Sequence, residues 1–413
     1  MSKDSNAIEH ACCDVAVVGA GPAGIAAALA LAQVGADVTL IGPAPPKASA
    51  PSRETRTAAL LSSSVDLLKA LQLWPALSPH AAPLEAIRII DASRSLLRAP
   101  DIEFKASELG LEAFGYNIAN TILVETLYAR AREILPSVIP ASVTAITVDG
   151  TKALLAMSEG PQRAARLVAG ADGRRSICRT SAGIEVTERR YDQGAIATRF
   201  RHTLPHRNVS TELHQEQGSV TTVPLPDPHD SSLIWVGSLA AIAALMRHDE
   251  ERFGDALAER LGGLLGVISD IGARAEFKVA GLIANRLAAK RTVLLGEAAH
   301  ILPPIGAQGL NLGLRDAAAL ADCVAEALRG GRDPGGEATL EAYRSARRLD
   351  VMTRTVGVDL LSRALLTSLP PLQAARGIVL HGLNTLAPLR RAVMRLGLTP
   401  PTELPSLMRG ASG

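Results

Sequence analysis

DVAVVGAGPAGIAAALALAQVGADVTLIG, Asp14 to Gly42, decides the fold. Asp14–Val18 is a short apolar run of strand type, and GAGPAG follows it at once. The helical run IAAALALAQ comes next, then Gly35 and a second strand pattern, DVTLI, ending at Ile41. Strand, glycine turn, helix and strand in that order make a βαβ unit around a G-x-G-x-x-G. Gly19 allows the tight turn, Gly21 lets a pyrophosphate approach the backbone, and Gly24 permits close packing of helix on strand. With Ala20, Pro22 and Ala23 they bring a helix start, with its N–H donors and positive dipole end, up to the phosphates. A bare glycine-rich turn would lack the flanking strand and helix.

One expected part is missing. An Asp or Glu about 20 residues on normally holds the adenosine ribose. That place is Gly42, within IGPAPPKASAPSRE, so the ribose must be held otherwise. Arg53 and Arg56, at the end of this Pro/Ala/Ser loop, are candidates for reaching a phosphate or the adenosine. Either also reads as a solvated loop charge.

The whole chain sets wider bounds. Its 413 residues, 47% hydrophobic and 20% charged, describe a globular protein able to bury a large core. A formal charge of +2 gives no reason to expect nucleic acid. Four cysteines, without pairing or metal spacing, favour a reduced cytoplasmic setting and no metal. The start, MSKDSNAIEH, lacks the apolar centre of a signal peptide, and no apolar run is long enough to span a bilayer.

Two later strands also end in punctuated loops. GADGRRSICR follows Leu167–Ala169, and its Asp172-Gly173, taken alone, is explained about as well by a plain turn. GEAAHILPPIGAQGLNLGLRDAAAL follows the apolar run Thr292–Leu295. It stacks an acid, a histidine, two prolines and a glycine-rich bend ahead of a helix. That helix shows one apolar face, Leu310, Leu314, Ala317, Ala321, Val324 and Leu328, closed by Gly330-Gly331.

Together, GAGPAG, GADGRRS and GEAAHILPPIGAQGLNLGLRDA resemble the single-component FAD-dependent aromatic hydroxylases. The chain is most similar to the polyprenyl-phenol hydroxylases of ubiquinone biosynthesis. RTAALLSSSVDLLKALQLW, FGYNIANTILVETL, YDQGAIATRF, VPLPDPHDSSLIWVG and PLRRAVMRLGL are similar to family blocks in the same order. The resemblance implies FAD, with Gly19 to Gly24 at its pyrophosphate, Arg56 touching it, and Asp172 linked to both FAD and NAD(P)H. It places Glu297 on the ribitol and Pro304 beside the flavin ring. Gly309, Leu310 and Asn311 then open a helix aimed at the pyrimidine side, where reduced flavin carries negative charge. His300 is either a structural strand-end residue or a polar group near the flavin, and proximity to the cofactor is favoured. The family's Asp is here Glu297, and its Ala-Gly-Gln-Gly is Gly306-Ala307-Gln308-Gly309. With Gly42, two acidic positions are altered, which puts FAD retention and activity in question.

The implied architecture is α/β: a discontinuous Rossmann-like FAD-binding domain (1–82, 111–188, 280–345), an inserted β-rich substrate domain (83–110, 189–279) and a C-terminal helical segment (346–413). Only one dinucleotide fingerprint is present, so NAD(P)H visits without a Rossmann domain of its own. LEAIRII, LLRAPDIEF and Tyr191–Trp235 read as strands covering the flavin. His202, His206, His214 and His229 fall there without metal spacing and read as surface or strand-edge residues. The tail is apolar and helical, broken by Pro370-Pro371 and Pro388. Its arginines, Arg390, Arg391 and Arg395, pack on the body or make peripheral contact with anionic lipid. The expected activity is hydroxylation of a polyprenylated phenol in ubiquinone biosynthesis with NAD(P)H and O2, by way of a flavin hydroperoxide. Other ubiquinone-biosynthesis proteins are expected partners. No side chain stands out as the phenol base. Hydroxylation of a soluble aromatic acid, and a flavin-binding, non-catalytic place in a biosynthetic complex, are the alternatives.

Overall fold

The strand Cys12–Val18 lies inside an eight-stranded sheet, paired in parallel with Val38–Ile41 on one side and Arg163–Gly170 on the other. The structure is a computed structural model that describes residues 12–45, 56–92, 101–215, 218–304, 306–366, 382–399 and 402–410. Ser137–Ile139 and Thr292–Leu294 extend the parallel part outward. Strands of a parallel sheet are covered on both faces and are apolar throughout. Val15, Val17, Leu40, Ile41, Leu167 and Val168 are accordingly all buried. The first helix, Pro22–Gln33, is buried from Gly24 to Leu31, as a helix apolar all round must be. Its alanines let the helices Asn120–Ile134 and Gln308–Arg329 pack close to it.

A second sheet of nine strands stands beside the first. Its order is His300–Ile301, Ala275–Ala284, Val186–His202, Asp230–Ser238, Gly218–Pro224, Val209–Gln215, Ala86–Asp91, Ile102–Lys105, with Ile268–Ser269 against Val186–His202. Alternation divides its faces. Ile196, Phe200, Leu213, Val220, Leu233 and Trp235 point one way, into a core with Ile242, Phe253 and Leu257. Those three come from the helices Leu239–Arg247 and Glu250–Leu261, capped by Ser238 and Asp249. The opposite face carries Ala195, Val236 and Val279, with Tyr191, Ile234 and Phe277 packed around them.

A small sheet, Thr57–Leu61, Gly115–Ala119 and Ala81–Pro83, joins the two large ones. Thr57 Oγ1 lies 3.0 Å from Ser232 Oγ, and Asn117 Nδ2 donates to the Pro224 carbonyl at 2.8 Å. The chain also crosses directly: Thr292–Leu294 belongs to the first sheet and His300–Ile301 to the second. The fold is thus mixed α/β, with a discontinuous Rossmann-like region, β-rich insertions and C-terminal helices.

The helical tail is interrupted at Leu386, and Pro388 opens the next helix, Ala387–Leu398, where its missing N–H costs nothing; Pro370 and Pro371 lie outside the described residues. One expectation is corrected. His202, His206 and His214 are buried and do not lie at the surface. His202 bridges the Leu204 carbonyl at 2.7 Å and Ser231 Oγ at 2.9 Å, and His206 reaches the Leu225 carbonyl at 3.0 Å. Strand-end carbonyls without sheet partners supply the reason, since burial requires them to be satisfied. His214 Nε2 lies 3.2 Å from Glu212 Oε1.

Candidate functional site

The three punctuated loops meet at the carboxyl end of the parallel strands. At Gly19, φ is +115° and a Cβ would lie 2.2 Å from the Ala171 carbonyl oxygen, so the glycine loop is pressed against the loop of Asp172. A Cβ on Gly313 would come within 3.2 Å of both Ala23 Cβ and Gly296 Cα, which joins the first helix, the Glu297 loop and the late helix. Arg179 completes the contact by donating to the Ala298 carbonyl at 2.9 Å and the Arg174 carbonyl at 2.8 Å.

Two helix starts open here, at Pro22 and at Gln308. Neither has a side-chain cap, and neither has a carboxylate in its first turn. Their leading N–H groups therefore need an outside acceptor, and their dipoles favour a negative one. Gly21 is exposed, and a Cβ there would meet nothing within 4 Å; the same holds at Gly309. Open space at one helix start suits a pyrophosphate, and at the other an anionic ring edge. The residues present fit FAD.

Gly42 has a packing reason. A Cβ there would stand 2.5 Å from the Ala20 nitrogen and 2.9 Å from Ala20 Cβ. Any side chain at this position would push the glycine loop out of place. Arg56 is exposed just before the strand Thr57–Leu61, and its carbonyl accepts the Asn120 N–H at 3.1 Å. Arg53 lies outside the described residues.

The remaining candidates divide by accessibility. Glu297 is exposed, and among the described residues its carboxylate has no hydrogen-bond or ion-pair partner. Pro304 is an exposed bend, and Leu310 is half-buried. Gly24 is buried, with a Cβ position 2.0 Å from the Gly19 carbonyl oxygen, and serves packing. Asp172 is half-buried and accepts from Ser176 Oγ at 2.5 Å and from the Cys178 N–H at 3.1 Å, so its carboxylate folds its own loop. Asn311 is enclosed. Its Oδ1 accepts the Leu61 N–H at 2.8 Å, and its Nδ2 donates to the Ala59 carbonyl at 2.8 Å and the Ala307 carbonyl at 2.6 Å. It fastens the late helix to the small sheet.

Beneath this surface runs a buried chain of charges. His300 Nε2 meets Asp316 Oδ2 at 2.6 Å, and the Gly296 N–H donates to the same oxygen at 3.0 Å. Arg347 Nε donates to Asp316 Oδ1 at 2.7 Å, and its Nη1 donates to Asp350 Oδ2 at 2.8 Å. Asp350 also accepts from Arg315 at 2.7 Å and Arg354 at 3.1 Å, and Arg354 reaches Gln308 Oε1 at 2.7 Å. The chain thus starts at the Glu297 loop and ends at the first residue of the late helix. Burial alone would raise both aspartates' pKa values, but the surrounding cations outweigh it. Asp316 is lowered by His300 and Arg347, and Asp350 is held at about 2 by Arg315 and Arg347. His300 has no accessible side-chain surface, so its imidazole belongs to this chain and presents nothing to a cofactor.

A family profile described as an FAD binding domain matches residues 12–357. The chain belongs to that FAD-binding family. Among similar proteins, the ubiquinone hydroxylase UbiL of Rhodospirillum rubrum is 34% identical over 96% of this chain and 92% of its own length. The 3-demethoxyubiquinol 3-hydroxylase of Escherichia coli is 30% identical over 93% and 98%. The crystal structure of p-nitrophenol 4-monooxygenase PnpA from Pseudomonas putida DLL-E4 superposes with a TM-score of 0.76, covering 94% of this chain and 99% of that one at 19% identity. This FAD-binding protein therefore has the aromatic hydroxylase fold. Sequence reading named the loops that open onto the site but missed Asp316, Arg347, Asp350, Arg315 and Arg354 behind them.

Proposed function

We propose that this protein is an FAD-dependent monooxygenase that hydroxylates a polyprenylated phenol in ubiquinone biosynthesis, with NAD(P)H as the electron donor. The balance is one ring C–H, O2, NAD(P)H and a proton giving a ring C–OH, water and NAD(P)+. Bound FAD supplies the redox chemistry. The chain's own part is binding and orientation. The two uncapped helix starts hold negative charge, Glu297 is available to the ribitol hydroxyls, and Asn311 and the Arg354–Gln308 bond keep the late helix in place.

The observation that carries the substrate class is the apolar face of the second sheet, Ala195, Val236 and Val279 with Ile234 and Phe277. A soluble aromatic acid needs fixed cations around its carboxylate. Arg199 and Arg201, two of the four arginines in the strand Val186–His202, are exposed, and Arg201 pairs with Asp227 at 3.3 Å and Asp230 at 3.4 Å. An isoprenoid chain needs only apolar surface, at about 0.8 kcal/mol per buried CH2. The two ubiquinone-pathway relatives support the same reading.

The test is NAD(P)H oxidation with oxygen uptake and product mass, comparing short-chain prenylated phenols with hydroxybenzoates. A prenylated phenol is expected to stimulate oxidation and to gain one oxygen atom. Coupled hydroxylation of a free hydroxybenzoate with higher kcat/KM would overturn the substrate class, and absence of oxygen transfer to any phenol would overturn the activity.

A further inference from the structure

The helix Ala387–Leu398 presents an apolar stripe to the outside. Leu386 at its N-cap is 56% exposed, Leu389 44%, Val393 40% and Leu396 75%. At about 100° per residue these four fall within an arc of roughly 80°. The adjacent side anchors the helix to the body: Leu383, in the turn before it, and Met394 are buried with Ile102, Phe104 and Phe114. Arg390 is fixed there too, with its Nη2 2.8 Å from Glu108 Oε2. Arg391 and Arg395 are different. Both are exposed, and neither has a carboxylate partner among the described residues. Residues 382–399 contain no Asp or Glu at all.

We propose that this exposed face docks on an anionic lipid surface. Leucines at the level of the acyl chains, flanked by two guanidinium groups that have no carboxylate partner among the described residues, are what an interfacial helix requires. The charge is complementary to anionic lipid and has one sign only. Four partly exposed side chains fall well short of the roughly 800 Å² per partner of a stable protein interface. No described helix is long and apolar enough to cross a membrane, so the contact is peripheral. Arg354 Nη1 donates both to the Gly397 carbonyl in this helix's last turn, at 3.0 Å, and to Gln308 Oε1 at the start of the late helix. The docking helix is therefore fastened to the cofactor loop. The inference does not depend on the substrate assigned above, although a lipid-borne phenol would give the surface a use.

The test is flotation of the full-length protein with vesicles of phosphatidylcholine alone or with phosphatidylglycerol, at low and high salt. Binding is expected only to the anionic vesicles, and to weaken with salt. The pairs Leu389→Ser with Leu396→Ser and Arg391→Gln with Arg395→Gln should each lower the bound fraction roughly tenfold or more. Circular dichroism should be unchanged, because these side chains face outward. Wild-type protein that stays with the soluble fraction, or variants that float like wild type, would overturn the proposal. A concentration-dependent dimer lost in the leucine pair, without vesicle binding, would assign the stripe to a second copy instead.

Discussion

His300 Nε2 and Asp316 Oδ2 meet at 2.6 Å with 0% and 1% of their side chains exposed. This contact ties the strand entering the second sheet to the helix that closes the cofactor loop. A carboxylate taken out of water is expensive to keep, and its contacts offset that cost only where its own oxygens are satisfied. Asp316 meets the condition with the Gly296 N–H and Arg347. Arg347 passes the arrangement on to Asp350, which gathers Arg315 and Arg354. A change at any member strands a charge elsewhere.

Asp350→Asn should therefore cost about 3–5 kcal/mol in thermal or urea unfolding at neutral pH, because three guanidinium groups lose their shared carboxylate. The pH dependence has a definite sign. The folded pKa of Asp350, about 2, lies below its ordinary 3.8. Its contribution is fully present above about pH 4 and is lost as pH falls toward 2, and the shift corresponds to about 2 kcal/mol. The acid limb of the stability curve should be shallower in the variant. Equal slopes below pH 4 in the two proteins would remove Asp350 from the network.

How much of this was legible in the sequence depended on how local the signal was. The βαβ unit declares itself through apolar runs and glycines within one short stretch, and the late helix through its apolar spacing. Gly42 was visible as a departure, but its reason, the Ala20 backbone 2.5 Å from its Cβ position, is a tertiary contact. Arg347, Asp350 and Arg354 recur at helical spacing, a pattern that in sequence describes a solvated face as well as an ion-pair chain. Only the packing of Glu337–Leu366 against Gln308–Arg329 turns it inward onto Arg315 and Asp316. Asn311 was read only as one of the residues opening the helix aimed at the pyrimidine side; that its side-chain amide is spent on three backbone groups is a tertiary fact.

The glycine loop separates binding from folding. Gly21 has open space around its Cβ position, so Gly21→Val should fold with a wild-type melting profile in the absence of FAD and yet purify without flavin. Gly24→Ala should do the reverse damage, because its Cβ would stand 2.0 Å from the Gly19 carbonyl oxygen. Soluble yield and melting temperature should drop before any binding is measured. Stoichiometric FAD in the Gly21 variant would move the pyrophosphate elsewhere.

Glu297 is exposed and unpartnered among the described residues, so Glu297→Ala should leave stability unchanged within about 0.5 kcal/mol. If its carboxylate takes the ribitol, the same variant loses a charge-assisted hydrogen bond of roughly 1.5–3 kcal/mol, at least tenfold in FAD affinity. Glu297→Asp should retain or tighten binding. Fluorescence titration of the apoprotein with FAD reads all three. Equal affinity in the alanine variant would show that the carboxylate serves something other than the cofactor.

Ala307 holds φ at +54°, in the left-handed region, immediately before the late helix. For an alanine this conformation costs roughly 1–2 kcal/mol, and glycine adopts it freely. Glycine also frees the unfolded chain, which offsets about 0.4–1 kcal/mol of the gain. The balance predicts that Ala307→Gly is neutral to about 1 kcal/mol more stable. Ala307→Val should be less stable by more than 1 kcal/mol, because branching at Cβ makes positive φ harder still. The strain sits where Gly306, Ala307 and Gln308 set the direction of the first free N–H groups, so the effect should also appear in FAD binding. Thermal unfolding and FAD titration of the two variants check both parts. A glycine variant clearly less stable than wild type would mean that the loop does not hold this backbone conformation in solution.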